Sequence, residues 1–244
     1  MSEGSIGVSL LIAAVSLLYA TAGQAGGTAF LVVMAVSAFP PDVMRPTSLL
    51  LNIVAASYAT WRHHNRRAIQ WTVLIPIVLA SMPAALLGGL IVLEARVYMT
   101  VTGLVLIFAA ALMVIHAKAD DRIDRHVPFG GSIAAGAGVG LMSGLTGIGG
   151  GVFLAPILIF CGWASPQRIV GLSAPFILAN SVVAFAGTLA AGQRVASGVA
   201  AYAIATICGA VIGTAIGTRW MSQTATRWVL ALILVIAGGR LVLF

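Results

Sequence analysis

Charged residues are scarce in this sequence, which excludes an ordinary soluble domain. Asp, Glu, Lys and Arg make up 8% of the 244 residues, whereas a soluble domain carries about 25%. Hydrophobic residues make up 60%, and the mean hydropathy is +1.08. We therefore predict an integral membrane protein that crosses the lipid bilayer several times. The net charge of +7 is expected to lie in cytoplasmic loops rather than to bind nucleic acid.

Acidic residues are the rarest charged type, and they avoid the apolar segments. All six lie at segment ends or in linkers: Glu3, Asp42, Glu94, Asp120, Asp121 and Asp124. Lys, Arg and His follow the same pattern, so the middle of each predicted span lacks an ionisable side chain. Ion-coupled carriers usually bury such groups, and acid–base catalysis needs them in a pocket. We expect neither a side-chain proton relay nor an enzyme, and no cofactor.

Histidine and cysteine give no sign of a metal site or a disulfide framework. The His63-His64 pair lies in a basic loop and is expected to be solvated. Cys161 and Cys208 both lie in apolar surroundings. Residues 1–7 contain no Lys or Arg and therefore lack the basic start of a cleaved signal peptide. The first apolar segment is expected to remain in the mature protein.

Glycine is abundant, and it is concentrated in the apolar stretch from Gly136 to Pro156. Gly136, Gly140 and Gly144 share one helix face, where small residues let two helices approach closely in lipid. The run Gly147-Ile148-Gly149-Gly150-Gly151 then breaks the helix. Broken backbone at membrane depth is tolerated only where it is buried in protein or lines a cavity. The alternative is a helix-packing site without a ligand.

The apolar segments predict ten helical segments in two sets of five. The first set covers residues 5–20, 27–39, 47–60, 70–93 and 97–115. The second set covers 130–145, 150–163, 168–190, 197–218 and 224–243. We assign 1–117 to a first transmembrane repeat, 118–128 to a cytoplasmic linker and 129–244 to a second transmembrane repeat.

The second set of segments repeats the first. Gly26-Gly27 recurs 124 residues later as Gly150-Gly151. Three single residues recur 125 residues later, namely Pro41 as Pro166, Ser48 as Ser173 and Gly88 as Gly213. Weak internal repeats are typical of transporters. The alternative is coincidence among stretches rich in Leu, Ala and Gly.

The basic residues indicate the orientation. We place the Arg-rich loop 62–67 in the cytoplasm. If each glycine-broken pair is a helical hairpin or two short helices, nine Lys and Arg residues lie inside and four, including Arg45, lie outside. If each pair is one broken crossing, the split is eight against five. The first topology fits better, and it predicts an all-α membrane protein of two inverted tandem repeats, each a glycine-broken hairpin followed by three transmembrane helices. Both termini would lie outside.

Because no buried charge is expected, backbone amides are the predicted ligand groups. A glycine break exposes N–H groups of the following half-helix, whose positive dipole end favours anions. Transporters use such half-helix N-termini near the midplane. Each nearby polar side chain fits a helix-packing hydrogen bond better on its own, but together they favour a small oxyanion site. The predicted site residues are Tyr19, Thr21, Gln24, Gly26, Gly27, Thr28, Ser48, Asn52, Ser143, Thr146, Gly147, Gly149, Gly150, Gly151, Ser173 and Asn180.

The second half carries a motif that resembles a known family. GVGLMSGLTGIGGGVFLAPIL at 138–158, followed by SPQRIVGLSAPFILANS, is similar to the sulfite exporter TauE/SafE family, also called TSUP. The first half resembles it more loosely in AGQAGGTAFLV and RPTSLLLNIVAA, and has Ala22-Gly23-Gln24-Ala25 where a fuller glycine run is usual. The resemblance covers nearly the whole chain. It implies transport of sulfite, organosulfonates or related sulfur-containing anions across the cell (inner) membrane.

Three functions remain open from the sequence. The first is an exporter or facilitator of a small sulfur-containing anion, driven outward by the inside-negative potential. The second is a structural membrane protein whose glycines only pack helices. The third is an importer of thiosulfate or another sulfur compound that uses Cys208, which lies next to Gly209. The sequence does not indicate an oligomeric state.

Overall fold

A computed structural model describes residues 6–21, 25–115, 128–163 and 166–217, together with 231, 232, 234–236, 238, 239, 241 and 242. These residues are all-helical apart from the connections, and those between 231 and 242 are also in helix. The nine helices that precede residue 231 in the described part are α1 Ile6–Thr21, α2 Gly27–Val36, α3 Pro41–Asn65, α4 Trp71–Leu90, α5 Ala95–Ile115, α6 Phe129–Thr146, α7 Gly151–Phe160, α8 Pro166–Ala190 and α9 Val199–Gly217.

Several helices are suited to crossing a membrane. Five stretches in the described part are long and apolar enough to do so: Trp71–Leu90, Ala95–Leu112, Phe129–Thr146, Gly171–Ala190 and Val199–Ile216. In contrast, α2 and α7 have 10 residues each, which is about 15 Å at 1.5 Å per residue. That covers roughly half of the hydrocarbon core, so neither helix spans it alone. The prediction of an all-α, multi-span membrane protein is confirmed.

The start of α3 differs from the prediction. The segment 47–60 was expected, but α3 runs from Pro41 to Asn65. Proline fits the first turn because its missing N–H has no helical partner there. Asp42 in the same turn interacts favourably with the positive end of the helix dipole. The predicted segment 224–243 lies largely outside the described residues.

Two pairs of helices pack closely through glycine. In α6, Gly140 and Gly144 lie against the carbonyls of Ser81 and Ala85 in α4, with no room for a Cβ. Residue numbers rise together along both helices, so α4 and α6 run parallel. The predicted small-residue face of α6 is therefore confirmed as a helix-packing face.

The packing of α9 on α1 follows the same plan. Gly209 and Gly213 of α9 lie against the carbonyls of Ala13 and Leu17 in α1. These helices also run parallel. In the other pair, Gly88 of α4 lies against the Leu141 carbonyl of α6. Gly213 of α9 meets the Leu17 carbonyl of α1 in the same way.

Each glycine-broken pair of helices folds back on itself. Phe39, just after α2, makes an edge contact with Tyr202 near the start of α9, with ring centroids 6.3 Å apart. Because α9 runs parallel to α1, the chain has returned at Phe39 to the level at which α1 begins. In the second pair, Trp163 follows α7 and lies against Gly131 at the start of α6.

The two folded-back pairs open toward opposite ends of α3. At its start, the Arg194 amide donates to the Asp42 carbonyl at 3.3 Å, on the side where α9 begins. Beyond its end, the Ala68 carbonyl lies against Gly171 of α8, on the side where α7 ends. The 25 residues of α3 extend about 37 Å. The glycine breaks therefore lie between these two ends, beside the middle of α3 and α8.

Candidate functional site

Left-handed glycines form the two breaks. We define the first break by its described residues Ala25, Gly26 and Gly27, and the second break as residues 147–151. Gly26 has φ of 95°, and Gly147, Gly149 and Gly150 have φ of 83°, 83° and 78°. Residues with a side chain rarely adopt this conformation. Glycine is thus required where α6 ends and immediately before α2 and α7 begin.

The tips of the two breaks touch each other. Gly27 lies against the carbonyl of Ile148 and the side-chain amide of Asn52, with no space for a Cβ. The Ser48 hydroxyl lies 3.1 Å from the Gly27 carbonyl and 3.0 Å from the Gly147 carbonyl. One serine of α3 therefore joins both breaks.

A polar face of α3 runs along the second break. Arg45, Ser48 and Asn52 follow one another at intervals of three and four residues, so they share one side of the helix. Arg45 Nε donates to the Gly144 carbonyl at 2.7 Å. Ser48 reaches the Gly147 carbonyl, and Asn52 Nδ2 donates to the Ile148 carbonyl at 3.1 Å. This face ties successive carbonyls at the end of α6 to α3.

Arg45 is a site residue that the sequence reasoning missed. It was counted among the outer loop residues, but its side chain is 1% exposed. Its guanidinium also donates to the carbonyl of Ile91 at 2.8 Å and to that of Gly88. This arginine begins the motif RPTSLLLNIVAA, which is the sequence feature that could have identified it as a site residue.

Three buried polar atoms near the second break have no hydrogen-bond partner within the described part of the chain. They are Asn52 Oδ1, Ser143 Oγ and Ser181 Oγ. A Cβ on Gly149 would lie 2.9 Å from Ser181 Oγ, and one on Gly150 would lie 3.3 Å from the Ser143 Cβ. An unmet buried polar group costs about 1–3 kcal/mol, so these atoms favour a bound polar molecule. Ser181 was also missed, although it directly follows the predicted Asn180.

The described polar side chains beside the first break form hydrogen bonds with nearby residues. The hydroxyls of Tyr19 and Thr28 lie 2.5 Å apart. The Thr21 hydroxyl donates to the Leu18 carbonyl at 2.6 Å. Gln24 lies outside the described residues. The contact between Tyr19 and Thr28 thus joins α1 to α2 next to the break, whereas Thr21 bonds within α1.

Three other predicted site residues bond back to their own helices. The donors are Thr146 to the Met142 carbonyl at 2.6 Å, Ser173 to that of Ile169 at 2.9 Å and Asn180 Nδ2 to that of Phe176 at 3.0 Å. These bonds link none of the three to a break. Asn180 Oδ1 has no partner in the described part.

The position of Cys208 does not support the alternative in which this thiol contacts a transported sulfur compound. Cys208 is exposed, whereas its neighbour Gly209 faces α1. The Cys208 side chain therefore lies on the outer surface of α9 and does not approach either break.

The first backbone amides of α2 and α7 come before the first residue that donates a hydrogen bond within each helix. In α7 the first such bonds run from Phe153 and Leu154 to the Gly150 carbonyl, each at 3.1 Å. In α2 the first runs from Phe30 to the Gly26 carbonyl at 3.0 Å. The amides just before these donors lie at the positive end of each helix dipole. Because Gly27 lies against the Ile148 carbonyl, the two positive ends lie close together.

Comparisons with known proteins place the chain among membrane transporters. A family model described as "Sulfite exporter TauE/SafE" matches residues 8–241. The chain is 32% identical over 245 residues to "Probable membrane transporter protein y4hK" of Sinorhizobium fredii, covering 99% of both chains. It is 30% identical over 142 residues to "Probable membrane transporter protein MJ0441" of Methanocaldococcus jannaschii, covering 56% of this chain and 52% of that one. No solved structure matches.

Proposed function

The chain belongs to the sulfite exporter TauE/SafE family of membrane transporters, and from that premise we propose that it exports a small sulfur-containing anion such as sulfite or an organosulfonate. The anion binds where the two glycine breaks meet. The single observation that carries this proposal is the Ser48 hydroxyl within 3.1 Å of one break and 3.0 Å of the other. Two half-helix N-termini facing one point form an anion site that needs no charged ligand side chain.

We further propose that residues 1–117 and 129–244 are inverted repeats joined by a cytoplasmic linker, 118–128, with both termini outside the cell membrane. The matched contacts of Gly88 with Leu141 and of Gly213 with Leu17 support this relation. So do the folded-back pairs, which open toward opposite ends of α3. The breaks lie near the midplane in this arrangement, because Asn52 and Ile177, which line them, occupy the middle of their 25-residue helices.

Transport requires the two tips to separate. Gly27, Gly149 and Gly151 are packed so closely that an added Cβ would crowd against α3, α8 or the opposite break. An anion with several oxygens is much larger than a methyl group. The conformation described above is therefore closed around the site. Rocking of one repeat against the other is the usual way to open such a site.

The direction of transport follows from the electrical driving force. The inside-negative potential favours outward movement of an anion by ~2.3 kcal/mol per charge per 100 mV. A dianion gains roughly 4.6 kcal/mol, or about 10³-fold in the equilibrium ratio. Export therefore needs no coupled proton. Import of the same anion against this potential would need one.

Flux of labelled sulfite into proteoliposomes with an imposed potential and no pH gradient tests this function. We expect the flux to follow the sign of the potential. Flux that ignores the potential and follows an imposed pH gradient would contradict uncoupled export. Sulfite and methanesulfonate that both fail to cross, while another anion does, would refute the proposed substrate class.

A further inference from the structure

Arg45 is an unusual residue at the break, because it is a buried cation that bonds to carbonyls. We propose that Arg45 is a specificity-determining residue that makes the site select anions over neutral molecules. It does so by neutralising the negative carbonyl ends of α4 and α6, so that the positive N-terminal ends of the half-helices dominate at the break. This inference rests on the proposed function and names what gives that site its charge preference.

The first step is the environment of the side chain. Arg45 is 1% exposed. A buried charge is normally paired with an opposite charge. Within the described residues, this guanidinium instead donates to the backbone carbonyls of Gly144, Gly88 and Ile91. A Cβ on Gly147 would lie 3.0 Å from Arg45 Cγ, so the cation lies directly beside the second break.

The second step is the origin of these carbonyls. Gly144 lies in the last turn of α6, and Gly88 and Ile91 lie at the end of α4. Each helix C-terminus carries roughly half a negative charge. Arg45 therefore offsets about one unit of negative charge contributed by two helix ends. Without it, the carbonyl end of α6 would oppose the positive start of α7, which begins after only four intervening residues.

At the second break, other carbonyls are also occupied by side-chain donors, which favours an anion over a cation. Tyr98 donates to the Thr146 carbonyl at 2.9 Å, while Ser48 and Asn52 occupy the next two carbonyls. The groups left to meet a ligand can mostly donate, namely the amides from 149 to 152 and the hydroxyls of Ser143 and Ser181, which have no partner in the described part of the chain. Asn52 Oδ1 remains an acceptor and suits the hydroxyl of a monoprotonated oxyanion.

The third step is that the repeat itself does not require a cation here. At the offset of 125 residues, Arg45 corresponds to Val170 and Asn52 to Ile177. The second half therefore forms its long helix without the arginine. An element that was needed only to build the fold is expected in both halves.

The test measures charge preference, which a purely structural role would not move. Proteoliposomes are given methanesulfonate and dimethyl sulfone, a neutral molecule of similar size and shape, and the ratio of the two fluxes is compared among variants. Arg45→Met should lower the anion-to-neutral ratio at least tenfold. Arg45→Lys keeps the charge and should hold the ratio within about twofold while raising KM.

Control variants separate charge from folding. Arg62→Met removes one positive charge at the far end of α3, where Arg62 donates to the Tyr58 hydroxyl, and should leave the ratio unchanged. Ser81→Ala removes a buried hydroxyl that bonds within α4 and should do the same. Ser48→Ala frees the Gly147 carbonyl and should lower the ratio severalfold. Monodisperse elution in detergent establishes which variants fold.

The outcomes are distinct from those of the proposed function. A folded Arg45→Met variant with the wild-type ratio overturns the inference. If that variant does not fold, a wild-type ratio in Ser48→Ala overturns it. Sulfite, acetate and chloride are included in the panel, so that the ratio is measured with whichever anion the wild type carries. A wild type that carries no anion overturns both proposals.

Discussion

Gly150 provides the sharpest test of the glycine breaks. It has φ of +78°, and a Cβ there would lie 3.0 Å from Phe176 Cε1 and from Val139 Cγ1. We expect Gly150→Ala to reduce flux per folded protein at least tenfold. The added methyl group would lie 3.3 Å from the Ser143 Cβ, immediately before the amides that begin α7.

The cost in stability can be divided into strain and crowding. A left-handed conformation costs a residue with a side chain about 1–2 kcal/mol. Crowding against side chains that can shift costs about 1–3 kcal/mol more. Gly192 provides the matched control. It has φ of +79°, but a Cβ added there would have no packing neighbour within 4 Å. Gly192→Ala should therefore lose only the strain, about 1–2 kcal/mol.

Two measurements on the same preparations decide the matter. The free energy of unfolding in detergent gives the stability of each variant, and sulfite flux is divided by the amount of folded protein. We expect both variants to be destabilised but only Gly150→Ala to lose flux. Equal flux per folded protein in the two variants would refute the assignment of Gly150 to the binding backbone.

The remaining predictions use other contacts. Gly27→Ala should abolish flux, because its Cβ collides with the Ile148 carbonyl, and a normal sulfite flux would argue against contact between the tips. Gly140→Val should lower the unfolding free energy by several kcal/mol, since backbone at Ser81 blocks the side chain; an unchanged melting curve would contradict the packing of α4 on α6. Cys208→Ala should leave flux unchanged, because that thiol is exposed; a clear loss would revive the sulfur-contact alternative.

Features set by local chemistry could be read from the sequence. The predicted segments 130–145 and 150–163 match α6 and the start of α7 closely, because a run of glycines ends a helix whatever surrounds it. The face of Gly136, Gly140 and Gly144 also follows from helical periodicity alone. The start of α3 was missed because Pro40-Pro41 suits either the end of one helix or the first turn of the next.

Equivalent positions in the two halves show where sequence reasoning reached its limit. Ser48 and Ser173 lie at matched positions, yet Ser48 joins the two breaks whereas Ser173 bonds within α8. The repeat pattern predicts the same role for both. The difference arises from the neighbours that each serine meets.

The sequence by itself determined the membrane class, the helices and the places where they break. Only the tertiary structure decided that the breaks touch, that Arg45 is buried, and that Ser181 lies at the site. The carbonyls that Arg45 and Ser48 meet at Gly144 and Gly147 are 99 residues away along the chain. Such partners depend on how whole helices pack, and a side chain's own sequence neighbours carry no information about which distant backbone it will meet.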